Sequence, residues 1–159
     1  MALETDLRLM GRHLVAVLAD VRLDLRTADD QPAYAAVKYG EPRVIAEWPT
    51  VTVQPQGKSR ELKGTRKFHI QFTIWVVLYH GLVANTSEIQ DATHERAERL
   101  ETFLNSDQKW NFVDTTDTDR DKVIFGRVAF LDHPIVVAPQ EELWSSSRLE
   151  LIAETEEVF

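Results

Sequence analysis

The sequence predicts a single α+β domain in which two main helices cover a mostly antiparallel, mixed sheet, with a long projecting β-hairpin loop. Three observations predict this fold. A chain of 159 residues is the size of one domain, and it can bury roughly 70 % of the surface that its unfolded form exposes. Apolar residues recur every three or four positions in two segments, which indicates helices, and alternate in others, which indicates strands. The element order has no repeat and no linker, so residues 1–159 are predicted to form one domain.

The first helix is predicted from about Glu4 to Leu23. Its apolar residues share one stripe, at spacings of three and four. The stripe consists of Leu3, Leu7, Met10, Leu14, Val17, Leu18 and Val21. We expect this stripe to pack on the sheet, because a coiled-coil seam would need more heptads. The following segment, Thr27 to Pro42, is loop-like and receives no element.

A hairpin is predicted next, from strands at Glu47–Pro55 and Phe68–Tyr79. Pro49 lacks a backbone donor, so the first strand should lie at an edge or begin to pair only at Thr50. One face of the second strand is apolar throughout, whereas its other face changes from polar to apolar along the strand. We therefore expect that second face to be solvated at one end and covered at the other. The basic segment Gly57–Lys67 is predicted to be a long loop.

The second helix is predicted to begin near Ser87, where Gln90 three residues later completes a capping box. Its apolar face is predicted from residues at helical spacing. These residues are Ile89, Thr93, Ala97, Leu100 and Leu104, flanked by Phe103. The helix should stop at Asn105–Asp107.

Two strands and a short apolar run follow this helix. The strands are predicted at Val123–Leu131 and Arg148–Glu154, and the apolar run is Ile135–Ala138, between two prolines. We expect Trp144, with Ser145 and Ser146, to form a turn that fixes the start of the last strand, in preference to contacting a partner.

Composition excludes several classes of protein. The chain has no cysteine, which excludes disulfides and thiolate-rich zinc or iron-sulfur sites. Its N-terminus carries Glu4, Asp6, Arg8 and Arg12 among the apolar residues, so it lacks the apolar core of a signal peptide. No apolar run approaches the length of a membrane helix. A soluble, intracellular protein is expected.

Charge is distributed unevenly along the chain. Residues 1–80 hold 11 basic and 9 acidic residues, a net +2, whereas residues 81–159 hold 7 and 17, a net −10. The predicted loop has a local charge of +4, from Lys58, Arg60, Lys63, Arg66 and Lys67 against one glutamate. Opposite charges of this kind are complementary when copies meet head to tail. The alternative is a solvated hairpin tip and a solubilising acidic face.

Candidate metal sites each lack a necessary ligand. His94 and Glu95 resemble the start of a zinc-binding HExxH helix, but Glu98 stands where the second histidine is needed, so a solvated face is the better interpretation. The segment Asp114–Lys122 has aspartates at the spacing of a calcium loop, but Lys122 replaces its glycine and Val128 its bidentate glutamate. The five histidines share no metal-ligand spacing. They are His13, His69, His80, His94 and His133.

No motif for catalysis or cofactor binding is present either. Ser145, Ser146 and Ser147 lack the G-x-S-x-G elbow, and the glycines form neither a phosphate loop nor a dinucleotide fingerprint. We therefore predict no catalytic residue, no cofactor and no metal. Nucleic-acid binding is a distant alternative, because the basic loop lacks aromatic residues that stack on bases and the chain is acidic overall.

Four strings within residues 3–154 carry a family resemblance. They are WPTVTVQPQG (Trp48 to Gly57), FHIQFTIWVVL (Phe68 to Leu78), SEIQDATHERAERLETFLNSD (Ser87 to Asp107) and ELWSSSRLELIAE (Glu142 to Glu154). In this order, with the long loop, they resemble the tail terminator proteins of long-tailed bacteriophages, the lambda-type minor tail protein U family. The segment Thr27 to Arg43 does not contribute to the resemblance.

The resemblance implies a structural protein without catalysis or cofactor. Such a protein forms a hexameric ring that caps the tail tube, ends its polymerisation and provides the interface to the head or neck. The implied partners are other copies of the chain, the tail tube protein, the neck or head-completion connector and, if the tail is contractile, the sheath protein. DNA is only passing cargo, and no membrane is involved. The implied location is the virion tail or neck, and the host cytoplasm during assembly.

Two hypotheses about site residues follow from this resemblance. The five basic residues, Lys58, Arg60, Lys63, Arg66 and Lys67, would dock on an acidic neighbour, which is either the adjacent ring subunit or the tube. The acidic loop with Asp114, Asp117, Asp119 and Asp121 would line the ring lumen and repel passing DNA, or would simply be solvated. The closest alternative function is another neck or tail-completion connector of similar fold.

Overall fold

The computed structural model describes residues 3–82, 87–106, 125–139 and 141–158. These residues form two helices and six strands. In chain order the elements are α1 (Leu3–Asp20), β1 (Ala36–Tyr39), β2 (Thr50–Leu62), β3 (Lys67–Leu82), α2 (Ser87–Ser106), β4 (Phe125–Asp132), β5 (Ile135–Val137) and β6 (Leu143–Val158). The predicted α+β fold is confirmed, as is the start of the second helix at Ser87.

The six described strands form one mixed sheet. Its order is β1-β2-β3-β6-β4, and β5 pairs with β6 beyond the end of β4. Only β1 and β2 are parallel, and the other pairs are antiparallel. The long strands β3 and β6 pair along almost their whole length, from Lys67 opposite Val158 to Leu82 opposite Trp144. One end of the sheet therefore carries the β2–β3 connection, and the other end carries β5.

Both helices contribute to one core on the same face of the sheet. Met10, Leu14 and Leu18 of α1 are buried, as are Leu100 and Leu104 of α2. These residues occupy the predicted stripes, and they pack with alternate residues of the central strands. The sheet contributes Val51, Val53, Ile70, Phe72, Ile74, Val76, Leu78, Leu149, Leu151 and Ala153 to this core. Neither described helix is long and apolar enough to cross a membrane.

The opposite face of the sheet is covered at one end only, as predicted. Trp144, Val77 and Tyr79 are buried there in a second cluster, against which Trp48 packs. Towards the hairpin end of the same face, His69 remains partly exposed and lies 3.6 Å, Nε2 to Oε2, from a glutamate of β6. The change from polar to apolar residues along β3 therefore corresponds to a change from solvent to protein cover.

The segment without a predicted element contains strand β1 and a buried anchor. Tyr34 is fully buried, and its hydroxyl donates a 2.6 Å hydrogen bond to the Leu18 carbonyl oxygen at the end of α1. Burial raises the pKa of Tyr34, so the phenol stays protonated and remains a donor. This contact holds the chain beside α1, and Ala36–Tyr39 then pairs with the first four residues of β2.

The hairpin differs from its prediction in one respect. Strand β2 begins at Thr50, as expected after Pro49, but continues to Leu62. A bulge between Pro55 and Gly57 inserts one residue, after which the ladder to β3 resumes. The predicted loop Gly57–Lys67 is therefore wrong, because most of it is strand and the connection spans only residues 63–66. Pairing uses backbone groups, which polar and basic residues supply as well as apolar ones.

The last strand is also longer than predicted. It runs from Leu143 to Val158, so Trp144 and the serines after it are strand residues and the predicted turn is wrong. Their side chains nevertheless fix this part of the strand: Trp144 is 2 % exposed, and the Ser146 hydroxyl donates a 2.6 Å hydrogen bond to the Pro134 carbonyl oxygen. The hydroxyl groups of Ser146 and Ser147 have hydrogen-bond partners within the protein, so this part of the strand does not need alternating apolar residues.

Gly11 marks a close approach of α1 to the sheet. A Cβ at this position would lie 2.8 Å from Pro55 Cγ and 2.9 Å from Tyr39 Cε2. Alanine favours a helix by about 1 kcal/mol over glycine, but forcing these contacts apart costs about 1–3 kcal/mol. We expect Gly11→Ala to lower the free energy of unfolding by about 1 kcal/mol, measured by urea denaturation. Gly57→Ala, whose Cβ would meet nothing within 4 Å, is the matched control, and equal effects of the two variants would contradict the assigned contact.

Candidate functional site

The five basic residues singled out in the sequence lie together at the hairpin end of the sheet. Lys58 and Arg60 belong to β2, and Lys67 begins β3. Lys63 and Arg66 lie in the connection and are exposed. The predicted grouping is therefore present, although most of it is carried by strands and not by a loop.

Several of these cations are positioned by contacts within the hairpin. The Arg60 guanidinium carbon lies 4.0 Å from the centroid of the Phe68 ring, and Lys58 Nζ lies 5.7 Å from that of Phe72. Lys63 Nζ lies 3.4 Å from Glu61 Oε1. Stacking on an aromatic face holds a cation in place while leaving it charged. Lys58 and Arg60 are thus preorganised on the strand part of the hairpin end, and Lys63 makes an exposed ion pair in the connection.

One large apolar residue lies within this basic surface. Leu62, the last residue of β2, pairs with Phe68 and is 59 % exposed. We refer to Leu62 with the five basic residues as the hairpin tip. Leu62 shares its face of β2 with Lys58 and Arg60. The tip thus combines an exposed apolar side chain with neighbouring cations, which is the composition of a contact surface with an apolar centre and a charged rim.

A second exposed surface lies at the opposite end of the sheet. Val137 of β5 pairs directly with Leu143 of β6, and these residues are 68 % and 47 % exposed. Ile135, two residues before Val137 on the same face of β5, is 60 % exposed. The turn that follows β5 contributes the exposed residues Glu141 and Glu142. We refer to these five residues as the β5 patch, which is apolar with an acidic rim.

A polar cluster lies on the helix-bearing face, beside the β5 patch. The Ser147 hydroxyl oxygen lies 2.6 Å from His80 Nε2 and 2.6 Å from His133 Nδ1. A hydroxyl has one proton, so it donates to one imidazole and accepts from the other. The His133 ring is stacked on that of His94 in α2, with centroids 4.6 Å apart. Sequence spacing could not indicate this cluster, because its members come from four separate segments.

Electrostatics keep the buried histidine of this cluster neutral. Burial, followed by the nearby positive charge of Arg96 and the other two histidines, lowers the pKa of His80 to about 3. Burial, followed by His94, also lowers the pKa of His133, against the opposing effect of Asp132. Ser147 is fully buried, so it is not exposed as a nucleophile would need to be. The arrangement is that of a hydrogen-bonded structural cluster.

The residues considered as metal ligands in the sequence form no metal site in the described part of the structure. Glu95 Oε1 accepts a hydrogen bond from the Ala28 backbone amide and lies 3.9 Å from Arg99 Nη2, so it holds the loop after α1 against α2. No group of three or more histidine, aspartate or glutamate side chains in the described ranges could hold a metal ion. The acidic loop with Asp114, Asp117, Asp119 and Asp121, which is also the stretch with calcium-loop spacing, lies outside the described residues.

The described residues define an α+β domain with two chemically distinct exposed surfaces at opposite ends of its sheet. One is the basic hairpin tip and the other is the acid-rimmed β5 patch. The chain matches no model of a known protein family, and it matches no curated protein.

Proposed function

We propose that this chain is a structural phage tail protein that forms a ring, caps the tail tube and ends its polymerisation. The ring would also provide the interface for joining the head or neck, and the protein would act in the virion tail without catalysis or cofactor. The observation that carries this proposal is the preorganised basic hairpin tip on a chain whose C-terminal half is strongly acidic. Two different, complementary surfaces on one chain favour head-to-tail contacts that close into a ring.

The resemblance noted in the sequence supports the same function. Its strings fall on β2, β3, α2 and β6, which are the elements that build the centre of the domain and the hairpin. The resemblance therefore rests on these four elements and on their order, and the segment that contains β1 does not contribute to it. A domain of this kind presents its hairpin and its sheet edges for contact while both helices remain packed in the core.

Neutralising the hairpin tip tests the proposed function. A variant with glutamine at Lys58, Arg60, Lys63, Arg66 and Lys67 is expected to lose ring formation and tube capping, because it removes the positive charge of the contact surface. Negative-stain imaging of the purified protein, alone and mixed with tail tubes, measures both properties. The wild-type protein is expected to seat as rings on tube ends.

A matched control separates this contact from general charge effects. The control removes the same number of positive charges from exposed basic residues outside the hairpin, and it should still cap tubes. It carries glutamine at Arg8, Lys38, Arg43, Arg99 and Arg127. Capping by the five-residue variant would refute the role of the tip. Wild-type rings that bind only the head-side connector would instead indicate a neck protein, and a monomer that binds DNA with steep salt dependence would indicate a nucleic-acid-binding module.

A further inference from the structure

We propose that the β5 patch is the receptor for the hairpin tip of a second copy of this chain. This inference rests on the proposed ring function for its biological setting and identifies the partner surface within the ring. It assigns a role to Ile135, Val137 and Leu143, whose exposure nothing else in the described structure explains. The contact would join Leu62 of one copy to the apolar centre of the patch on the next.

The two surfaces are complementary in both polarity and charge. The tip has one exposed apolar residue, Leu62, among five cations, and the patch has three exposed apolar residues beside Glu141 and Glu142. Asp132, close to the patch, is already paired, because Arg148 donates to both of its carboxylate oxygens. Glu142 accepts a hydrogen bond from the Trp144 indole over 3.4 Å, so the exposed Glu141 is the carboxylate that we assign to face the incoming cations. Such an apolar centre with opposed charges at its rim is the usual composition of a specific interface.

The patch also lies at an edge of the sheet. Strand β5 pairs with β6 on one side, and in the described ranges no strand pairs with its other side. Pro134 and Pro139 flank the strand, which limits extension of the ladder by a long incoming strand. A short, blunt element such as the four-residue hairpin connection suits this site better than an extended peptide.

The positions of the two surfaces require that they meet between copies. Leu62 lies opposite Phe68, which lies opposite Glu157 of β6, whereas the patch includes Leu143 at the start of β6. At about 3.3 Å per residue, these positions along one strand are roughly 45 Å apart. A chain therefore cannot place its tip on its own patch. Because the two surfaces differ, each copy can bind two neighbours, and the contact is heterologous, as ring closure requires.

The absence of cysteine from the chain makes this contact testable by cross-linking. Purified Leu62→Cys and Val137→Cys chains are mixed and treated with a short thiol-reactive linker. Docking is expected to raise the yield of linked dimer about tenfold over a Leu62→Cys and Leu23→Cys mixture, because a docked pair has a high effective thiol concentration. Leu23 is 61 % exposed and far from the patch in sequence. A chain with both Leu62→Cys and Val137→Cys should form a ladder of linked species.

A charge exchange provides the second measurement. Arg66→Glu in the tip chain, or Glu141→Lys in the patch chain, should each lower the cross-linking yield when present alone. The two changes together should restore the yield, because the opposed charges are then exchanged. Equal yields in the test and control mixtures, or no rescue by the exchange, would overturn the docking. Tubes capped by wild-type protein together with equal yields would leave the ring function standing without this contact. Specific cross-linking without tube capping would support the contact between copies and would refute the capping function.

Discussion

Trp144→Ala is expected to lower the free energy of unfolding by about 3–5 kcal/mol, the range for truncating a buried tryptophan. Trp144 is 2 % exposed and forms the centre of the cluster on the face away from the helices. Its ring packs edge to face against Trp48 and Tyr79, with centroids 5.8 Å and 5.7 Å apart. Alanine would leave a cavity where β5, β6 and the segment before β2 meet, and such packed surroundings collapse only partly.

Trp144→Phe is the matched control for this truncation. Phenylalanine keeps an aromatic ring in the cluster and loses the indole hydrogen bond, which Nε1 donates over 3.4 Å to the exposed Glu142. We therefore expect Trp144→Phe to cost less than half as much as Trp144→Ala. Denaturant unfolding followed by far-ultraviolet circular dichroism measures both, independently of the altered fluorescence. Equal losses would mean that the indole hydrogen bond, and not aromatic packing, supports this end of the sheet.

The helices could be predicted from the sequence because a helical stripe is a local pattern. Leu14 and Leu18 recur at a spacing that places them on one face of any helix, whatever they pack against. The same holds for Leu100 and Leu104, and all four are buried as predicted. The start of β2 at Thr50 could be predicted for the same reason, because it depends only on the backbone donor that the preceding Pro49 lacks.

The strand lengths could not be predicted, because they depend on partners distant in sequence. Gly57–Leu62 is basic and polar, yet it forms a ladder with β3. Strand β1 has only four residues, and its pairing depends on the buried Tyr34 anchor. A ladder forms wherever a neighbouring backbone is available, and side-chain patterns report this only when one face is buried.

The two candidate surfaces also combine features that the local sequence predicts with features that depend on distant strands. The basic residues of the hairpin tip are close in sequence, so their grouping was predictable, whereas their stacking on Phe68 and Phe72 needed the cross-strand register. The apolar run Ile135–Ala138 gave no sign that two of its residues would be exposed. Val136, between them, packs against the Trp144 cluster, so exposure depends on which face of the sheet each side chain occupies. That face is set by the pairing of β5 with β6 and not by the run itself.

Acidification is expected to destabilise the protein through His80, by about 2 kcal/mol at pH 5. The pKa of His80 is lowered from 6.5 to about 3 by burial and by the positive charge of Arg96. The unfolded chain therefore binds a proton near pH 6.5, whereas the folded protein does so only near pH 3. Between these values the unfolded state binds more protons, so the free energy of unfolding falls as the pH falls. Above about pH 7.5 the group is neutral in both states and contributes no slope.

His80→Gln removes this titration and isolates its effect. The free energy of unfolding is measured by urea denaturation at pH 7.5 and pH 5 for both proteins. At pH 7.5, the difference in the free energy of unfolding between the wild-type protein and His80→Gln gives the cost of replacing the imidazole and its 2.6 Å hydrogen bond to Ser147. The decrease between the two pH values should be about 2 kcal/mol larger for the wild-type protein. His133 is present in both proteins, and its pKa is lowered by its own burial and by His94, so most of its contribution to the pH dependence cancels in the comparison. Parallel pH dependence of the two proteins would show that His80 is not held neutral by the fold.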